Sequence, residues 1–180
     1  MILTYKQCLN EFGSDYHIKR KLFSGALIKL APGYYSETKS NSEIELISSR
    51  YSNAIFTLNS AFYYHGLTDT IPELYYLATD RDASKISNHS IKQIFVSKEI
   101  FNIGVETITV NSTKIKVYNK ERMLVELVRN KNKFPYEYYK EIIGNYRNII
   151  HKLDIQSIEE YASKFPKKNL IIKRIEEEVF

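Results

Sequence analysis

Five side chains between residues 16 and 21 could present hydrogen-bond donors and positive charge to a polyanion. They are Tyr16, His17, Lys19, Arg20 and Lys21. At about 100° per residue, a helix places these donors away from Ile18 and Leu22, which would face inward. Donors in the first turns of a helix can contact base edges and phosphates. The spacing therefore predicts a DNA-recognition helix.

A hairpin directly after this helix could add contacts with the DNA backbone. Ala31-Pro32-Gly33 predicts a tight turn, because proline fixes φ and glycine accepts a positive φ. The turn separates the β-prone residues 27–30 from Tyr34 and Tyr35. A wing of this kind would bring Lys29 and Tyr34 or Tyr35 near a sugar-phosphate backbone. Helix and hairpin together indicate the second half of a winged helix-turn-helix.

Local signals position the predicted recognition helix. Ser14 or Asp15 can cap its start, and Gly25 can end it in a left-handed conformation. Before it, Thr4 can cap a first helix that continues through Phe12 with one apolar stripe. Two helices and a hairpin of about 35 residues are too small to be stable alone, so we expect them to dock on other elements.

Composition limits the class of protein. The chain has 180 residues, of which 43% are hydrophobic and 26% charged, as in ordinary globular proteins. Its one cysteine, Cys8, excludes an intrachain disulfide and a cysteine-based zinc site, which suits a reducing cytoplasm. Because Cys8 falls in the apolar stripe of the first helix, we expect a core residue rather than a nucleophile. No signal pattern or run of ~20 apolar residues is present, so we expect a cytoplasmic protein without a membrane partner.

Positive charge is concentrated near the N-terminus. The first 40 residues contain six basic and three acidic residues, which supply +3 of the formal net charge of +5. A concentrated positive charge suggests a polyanionic partner whose counterions are released on binding. The alternative is an ordinary solvated surface on a mildly basic protein.

The pattern of elements predicts an α+β fold in two domains. A polar connector at Glu37 to Ser42 separates a winged helix-turn-helix DNA-binding domain, residues 1–38, from a C-terminal domain, residues 43–180. The second domain is predicted as a mixed α/β domain that ends in a helical bundle, since the period becomes helical after residue 119. Its β-rich segments are residues 54–57, 74–78, 91–96, 105–110 and 115–118.

Catalytic motifs are weak. The chain has no glycine-rich phosphate loop and no zinc-protease motif. Three carboxylates and a lysine could be combined into a metal-dependent nuclease site: Asp69, Asp80, Glu126 and Lys92. Most chains of this length contain residues that could be combined in the same way, so the signal is weak. His65 precedes a glycine at a predicted helix end, which favours a capping role. We therefore predict no enzyme, no metal site and no cofactor.

A second group of basic residues lies near the C-terminus. It consists of Lys164, Lys167, Lys168, Lys173 and Arg174. The group could hold RNA or an acidic protein surface. Alternatively, it is the solvated face of a helix on which the basic side chains pair with residues 176–178 at i+3 or i+4.

Three segments carry a resemblance to a known family over nearly the whole chain. They are Leu22 to Tyr35, Thr57 to Ala78 (TLNSAFYYHGLTDTIPELYYLA) and Ile115 to Glu126 (IKVYNKERMLVE). The sequence resembles the AbiEi-type antitoxins of type IV toxin–antitoxin systems, which act in abortive infection and phage defence. Met123 stands where the family usually has threonine.

The resemblance implies a function for each domain. It implies a winged helix that binds inverted repeats in the double-stranded DNA of its own promoter and represses transcription. It implies a C-terminal domain that counteracts a nucleotidyltransferase-like toxin without a tight complex. The implied DNA contacts are His17, Lys19, Arg20 and Lys21 on the helix, and Lys29 with Tyr34 or Tyr35 on the wing.

Two points remain open at the level of sequence. Glu121 and Arg122, in the third segment, are expected to have a structural role as a buried or bridging ion pair. The alternative function, from a different class, is a protein-interaction module that neutralises its partner by direct contact through the basic group near the C-terminus.

Overall fold

A computed structural model describes residues 2–38 and 42–180 and has an α+β fold. The chain divides into two compact units. The first contains residues 2–38, 42–53 and 111–114, and the second contains residues 54–110 and 115–180.

The first unit combines three helices with a small sheet. Its elements are β1 (Ile2–Thr4), α1 (Tyr5–Phe12), α2 (Asp15–Phe23), β2 (Ile28–Ala31), β3 (Tyr34–Ser36) and α3 (Glu43–Arg50). The sheet is antiparallel with the order β1-β3-β2, so the last strand lies in the centre. Strand β1 pairs Leu3 with Tyr35 and thereby ties the chain start to the hairpin.

The predicted caps of α1 and α2 are confirmed. Thr4 accepts a hydrogen bond from the Gln7 amide, and the Gln7 side chain accepts one from the Thr4 amide, which forms a complete capping box. Gly13 ends α1 with a φ of +82°, a left-handed conformation that favours glycine. The Ser14 hydroxyl then accepts from the His17 amide and starts α2.

Most elements of the first unit contribute a side chain to its core. The buried members are Leu3, Cys8, Ile18, Leu27 and Tyr35. The inward orientation predicted for Ile18 is confirmed, and so is the core position of Cys8. Burial raises the pKa of the Cys8 thiol, which keeps it protonated and unreactive.

Helix α3 belongs to the first unit, whereas the sequence pattern predicts residues 43–50 as part of the second domain. Ser42 caps this helix, and its amphipathic face buries Ile44 and Ile47. The helix contacts β1, so the division between the units falls after residue 53 instead of at the polar connector. Residues 39–41 of that connector lie outside the described residues.

The rest of the chain forms a mixed sheet covered by helices. Its elements are β4 (Ile55–Phe56), α4 (Leu58–Tyr64), β5 (Tyr75–Asp80), β6 (Ile91–Val96), α5 (Lys98–Phe101), β7 (Val105–Val110), β8 (Thr113–Tyr118), α6 (Lys120–Arg129), α7 (Tyr136–Ile149), α8 (Ile155–Ser163) and α9 (Lys168–Glu178). The strand order is β6-β5-β4-β8-β7. Strand β5 is parallel to β6 and antiparallel to β4, which is parallel to β8.

The five β-rich segments predicted from the sequence are all strands. The turn between β7 and β8 is Asn111-Ser112, whose φ angles of 47° and 66° fit a two-residue hairpin. Every element after residue 119 is helical, including two 3₁₀ turns at Lys131–Lys133 and Ile150–Lys152. Among residues 2–38 and 42–180, no helix combines the length and apolar character needed to cross a membrane.

Candidate nucleic-acid interface

Helix α2 turns its polar side chains to solvent. Ile18 is 1% exposed and Leu22 packs against the same core, so the opposite face is fixed outward. On that face Tyr16 is 70% exposed, and Arg20 is exposed as well. The helix therefore presents a row of donors, as the spacing predicted.

The first turn of α2 orders one of these donors. The Ser14 hydroxyl lies 3.0 Å from His17 Nδ1, and the Tyr16 ring packs edge-on against the His17 ring at 5.6 Å. If Nδ1 accepts the Ser14 hydroxyl proton, the neutral imidazole carries its own proton on Nε2. Nε2–H is then the donor that His17 offers to a ligand.

The cations of α2 differ in their partners. Lys19 Nζ lies 2.6 Å from Asp15 Oδ2, and this hydrogen-bonded pair raises the lysine pKa and lowers the aspartate pKa. Lys21 Nζ lies 3.3 Å from Glu37 Oε1 and 4.2 Å from the centre of the Phe12 ring. Arg20 has no ion-pair partner among the described residues, so its guanidinium is the side chain of this face most available to an anion.

The hairpin places its three candidate residues differently. Lys29, in β2, is exposed, and Tyr34 is half-buried. Tyr35 is only 8% exposed and belongs to the core, because alternation along β3 turns its ring inward. The interpretation of Tyr35 as a DNA contact is therefore corrected, and Tyr34 is the tyrosine left for that role.

The basic residues near the C-terminus are spread over two helices and their connection. Lys164 follows the last turn of α8, and Lys167 and Lys168 are at the start of α9. Lys173 Nζ lies 3.6 Å from Glu177 Oε1, the i+4 pairing expected of a solvated helix face.

Two of the three carboxylates considered for a metal site have other roles. Asp80 Oδ1 accepts a hydrogen bond from the Asp82 amide at 2.9 Å, which is the geometry of a loop. Glu126 belongs to a buried ion pair. In the described part of the chain, no three histidine, cysteine, aspartate or glutamate side chains come together as a metal site.

Arg122 is fully buried, and its partner is Glu126 rather than Glu121. Its Nη2 donates to Glu126 Oε1 at 3.0 Å, while its Nη1 donates to the carbonyl groups of Ile100 at 3.0 Å and Ile103 at 3.3 Å. Glu121 instead accepts a hydrogen bond from the Asp154 amide at 3.2 Å. Arg122 is therefore in a buried ion pair, at i+4 spacing on one helix, but the expected participation of Glu121 in that pair is wrong.

His65 ends α4, as expected of a capping histidine, but its ring has a different function. Its Nε2 lies 2.7 Å from the carbonyl oxygen of Tyr118, so Nε2 carries the proton and donates it. Burial lowers the pKa of His65 despite this bond and the Glu106 carboxylate 3.7 Å away. The contact joins the second and third segments that carry the family resemblance.

No protein-family model matches this chain, and neither does any curated protein.

Proposed function

We propose that this protein is a DNA-binding antitoxin that represses its own operon. The observation that carries the proposal is the exposed donor face of α2, with Arg20 unpaired among the described residues. Lys29 on the adjacent hairpin adds an exposed cation. A face of this composition matches the requirements of a duplex, which offers phosphates along its backbone and acceptors in its major groove.

The order of elements in the first unit supports a winged helix. Strand β1, helices α1 and α2, and the hairpin β2–β3 follow one another, with all three strands in one sheet. The short glycine-containing turn at Gly13 and Ser14 joins the two helices, as in helix-turn-helix motifs. In this arrangement α2 is the recognition helix, β2–β3 is the wing, and α3 supplies helical support against β1.

The ion pairs of α2 are compatible with DNA binding. The pairs of Lys19 with Asp15 and of Lys21 with Glu37 are solvent-exposed, and pairs of this kind contribute only about 0–1 kcal/mol. Both lysines can therefore exchange their carboxylates for phosphates at small cost. Arg20, which needs no exchange, is suited to a bidentate contact with guanine or phosphate.

The antitoxin part of the proposal is supported by the resemblance, whose two most distinctive segments both lie largely in the second unit. A hydrogen bond from His65 to the Tyr118 carbonyl oxygen joins these two segments. The cognate toxin is of the nucleotidyltransferase-like class, and its neutralisation requires no tight complex. Repression and neutralisation would then depend on different units of one chain.

A separation-of-function experiment tests this division. In cells carrying a promoter reporter and the neighbouring toxin gene, Arg20→Ala with Lys21→Ala should abolish repression while protection against the toxin survives. The control, Arg81→Ala with Lys85→Ala, removes the same two charges from an exposed loop of the second unit and should change neither activity. Loss of both activities in the first pair, with the protein folded and present, would contradict separate roles.

A further inference from the structure

The second unit contains a cavity of about 800 Å³ that DNA binding by α2 does not use. This volume lies within the range of sites for nucleotide-sized ligands. The walls come from the β4–α4 junction, strand β6, the end of α6 and the connection between α8 and α9. Residues distant in sequence therefore converge on one concave surface.

The lining changes from apolar to cationic. Tyr118 and Phe165 are buried, at 1% and 6% exposure, whereas Phe95 is 50% exposed. Four basic side chains and a single carboxylate, that of Glu126, line the cavity. The basic members are Lys92, Arg129, Lys133 and Lys164.

The Glu126 carboxylate does not balance this charge. Its Oε1 accepts from Arg122, and its Oε2 accepts from Arg129 Nη1 at 2.9 Å and Asn130 Nδ2 at 3.0 Å. Two guanidinium groups thus already offset one carboxylate. Each lysine of the lining lacks an ion-pair partner within the described part of the chain, so the cavity is complementary to an anion.

Helix ends explain only part of this arrangement. Arg129 is in the last turn of α6 and Lys164 follows α8, where a cation is favoured by the helix dipole. Lys92, by contrast, projects from strand β6, and Lys133 ends a 3₁₀ turn. Neither position has a comparable structural reason for a cation.

Aromatic side chains give the cavity a second kind of recognition. Phe134 is held between Phe62 and Tyr138, at ring-centre distances of 5.9 and 6.1 Å, and so presents a fixed apolar surface. Phe95 borders the cavity through its main chain, since alternation along β6 places its ring on the face opposite Lys92 and Ile94. Cations beside accessible rings match a ligand that joins phosphate to a flat base.

We infer that this cavity binds a nucleotide, with its phosphates on the lysines and its base against Phe134. The nucleotide is either free or the terminal residue of a single strand, since both present the same groups. This site goes beyond the proposed repressor function and does not depend on it, so Arg20→Ala should leave nucleotide binding unchanged.

Calorimetric titration of the full chain tests the inference. ATP, ADP, AMP, adenosine and inorganic pyrophosphate are compared, together with a 5′-phosphorylated trinucleotide. Affinity should rise with the number of phosphates and be lost for adenosine. Binding of the mononucleotides identifies a free nucleotide, whereas binding of the trinucleotide alone identifies a strand end, and either result supports the site.

Variants locate the binding. Lys92→Gln with Lys133→Gln should weaken ATP binding by at least about tenfold, since two charge-assisted contacts are removed. If only the trinucleotide binds, the same loss is expected for the trinucleotide. Lys85→Gln with Lys140→Gln removes two exposed lysines outside the cavity and should have no effect. All four side chains are exposed, so thermal unfolding should be unchanged.

Phe134→Leu, which removes the flat ring and keeps an apolar side chain, separates a nucleotide site from a simple anion site. It should weaken nucleotide binding and leave pyrophosphate binding unchanged. The inference is overturned if neither mononucleotides nor the trinucleotide bind at millimolar concentration. It is also overturned if pyrophosphate binds as well as ATP and Phe134→Leu has no effect, or if the control pair weakens binding equally.

Discussion

Arg122 is the largest fully buried side chain among the described residues, and its environment shows why it can be there. Its guanidinium bonds to Glu126 and two carbonyl groups, and it packs 4.8 Å from the centres of the Tyr118 and Phe165 rings. A buried charge is tolerated only when it is paired and hydrogen-bonded. Arg122 therefore connects α6 with the segment around α5 and with the end of α8.

Arg122→Ala should lower the free energy of unfolding by about 3–5 kcal/mol, because it breaks a buried pair and leaves two carbonyl groups without a donor. Urea denaturation followed by circular dichroism measures this change. Arg81→Ala, at an exposed loop position, should change stability by less than about 0.5 kcal/mol. A similarly small loss for Arg122→Ala would show that the network contributes little.

His65 should make stability depend on pH. Burial lowers its pKa in the folded protein below the unfolded value of about 6.5. As pH falls below that value, the unfolded chain takes up a proton that the folded chain does not, so the free energy of unfolding falls. This loss continues until the lowered folded pKa is reached.

His65→Gln should keep a donor near the Tyr118 carbonyl group and remove the titration. The stability difference between wild type and variant should therefore shrink as pH falls from 7.5 towards 5, on denaturation curves measured across that range. His151→Gln, the same change at an exposed position, is the matched control. A parallel profile for His65→Gln and wild type would count against the lowered pKa.

Two glycines in the second unit differ in whether their position tolerates a side chain. Gly104 has a φ of +71°, and a Cβ there would lie 2.7 Å from Arg122 Cβ and 2.9 Å from Asn119 Oδ1. Gly144 lies within α7, where a Cβ would meet nothing within 4 Å. The first position needs glycine for its conformation and for close packing, whereas the second needs it for neither.

Gly104→Ala should therefore destabilise the protein, by at least about 1 kcal/mol from backbone strain alone. Gly144→Ala should stabilise it by about 0.5–1 kcal/mol, since alanine loses less entropy in a helix. Thermal unfolding of both variants should give shifts of opposite sign. A stabilising shift for Gly104→Ala, or no shift at all, would contradict the close packing of Gly104 against α6.

The elements with strong local signals were predictable. Strands β6 and β7 coincide with β-branched runs, and the caps Thr4 and Ser14 precede their helices as expected. Strand β1 was missed, because three residues are too few to show a period. Which of Tyr34 and Tyr35 faces solvent could not be predicted either, because it depends on the register of β3 with β1 and β2.

At the scale of the whole molecule, the chain separates two kinds of surface. The first unit carries the exposed donor face of α2, and the second carries the cationic cavity. The position of α3 shows where sequence reasoning stops, since its cap and apolar face are local features but its partner, β1, is not. The cavity was likewise hidden, because its lysines lie on segments that only the fold brings together.

DNA binding by the exposed face of α2 is tested most directly by a fluorescence-anisotropy titration. The probe is the DNA immediately upstream of the protein's own gene, measured at two salt concentrations with wild type, Arg20→Ala and Arg81→Ala. We predict salt-sensitive binding that Arg20→Ala weakens by about 1–3 kcal/mol and Arg81→Ala leaves unchanged. Absence of binding by the folded wild-type protein at low salt, or equal losses in both variants, would contradict the claim.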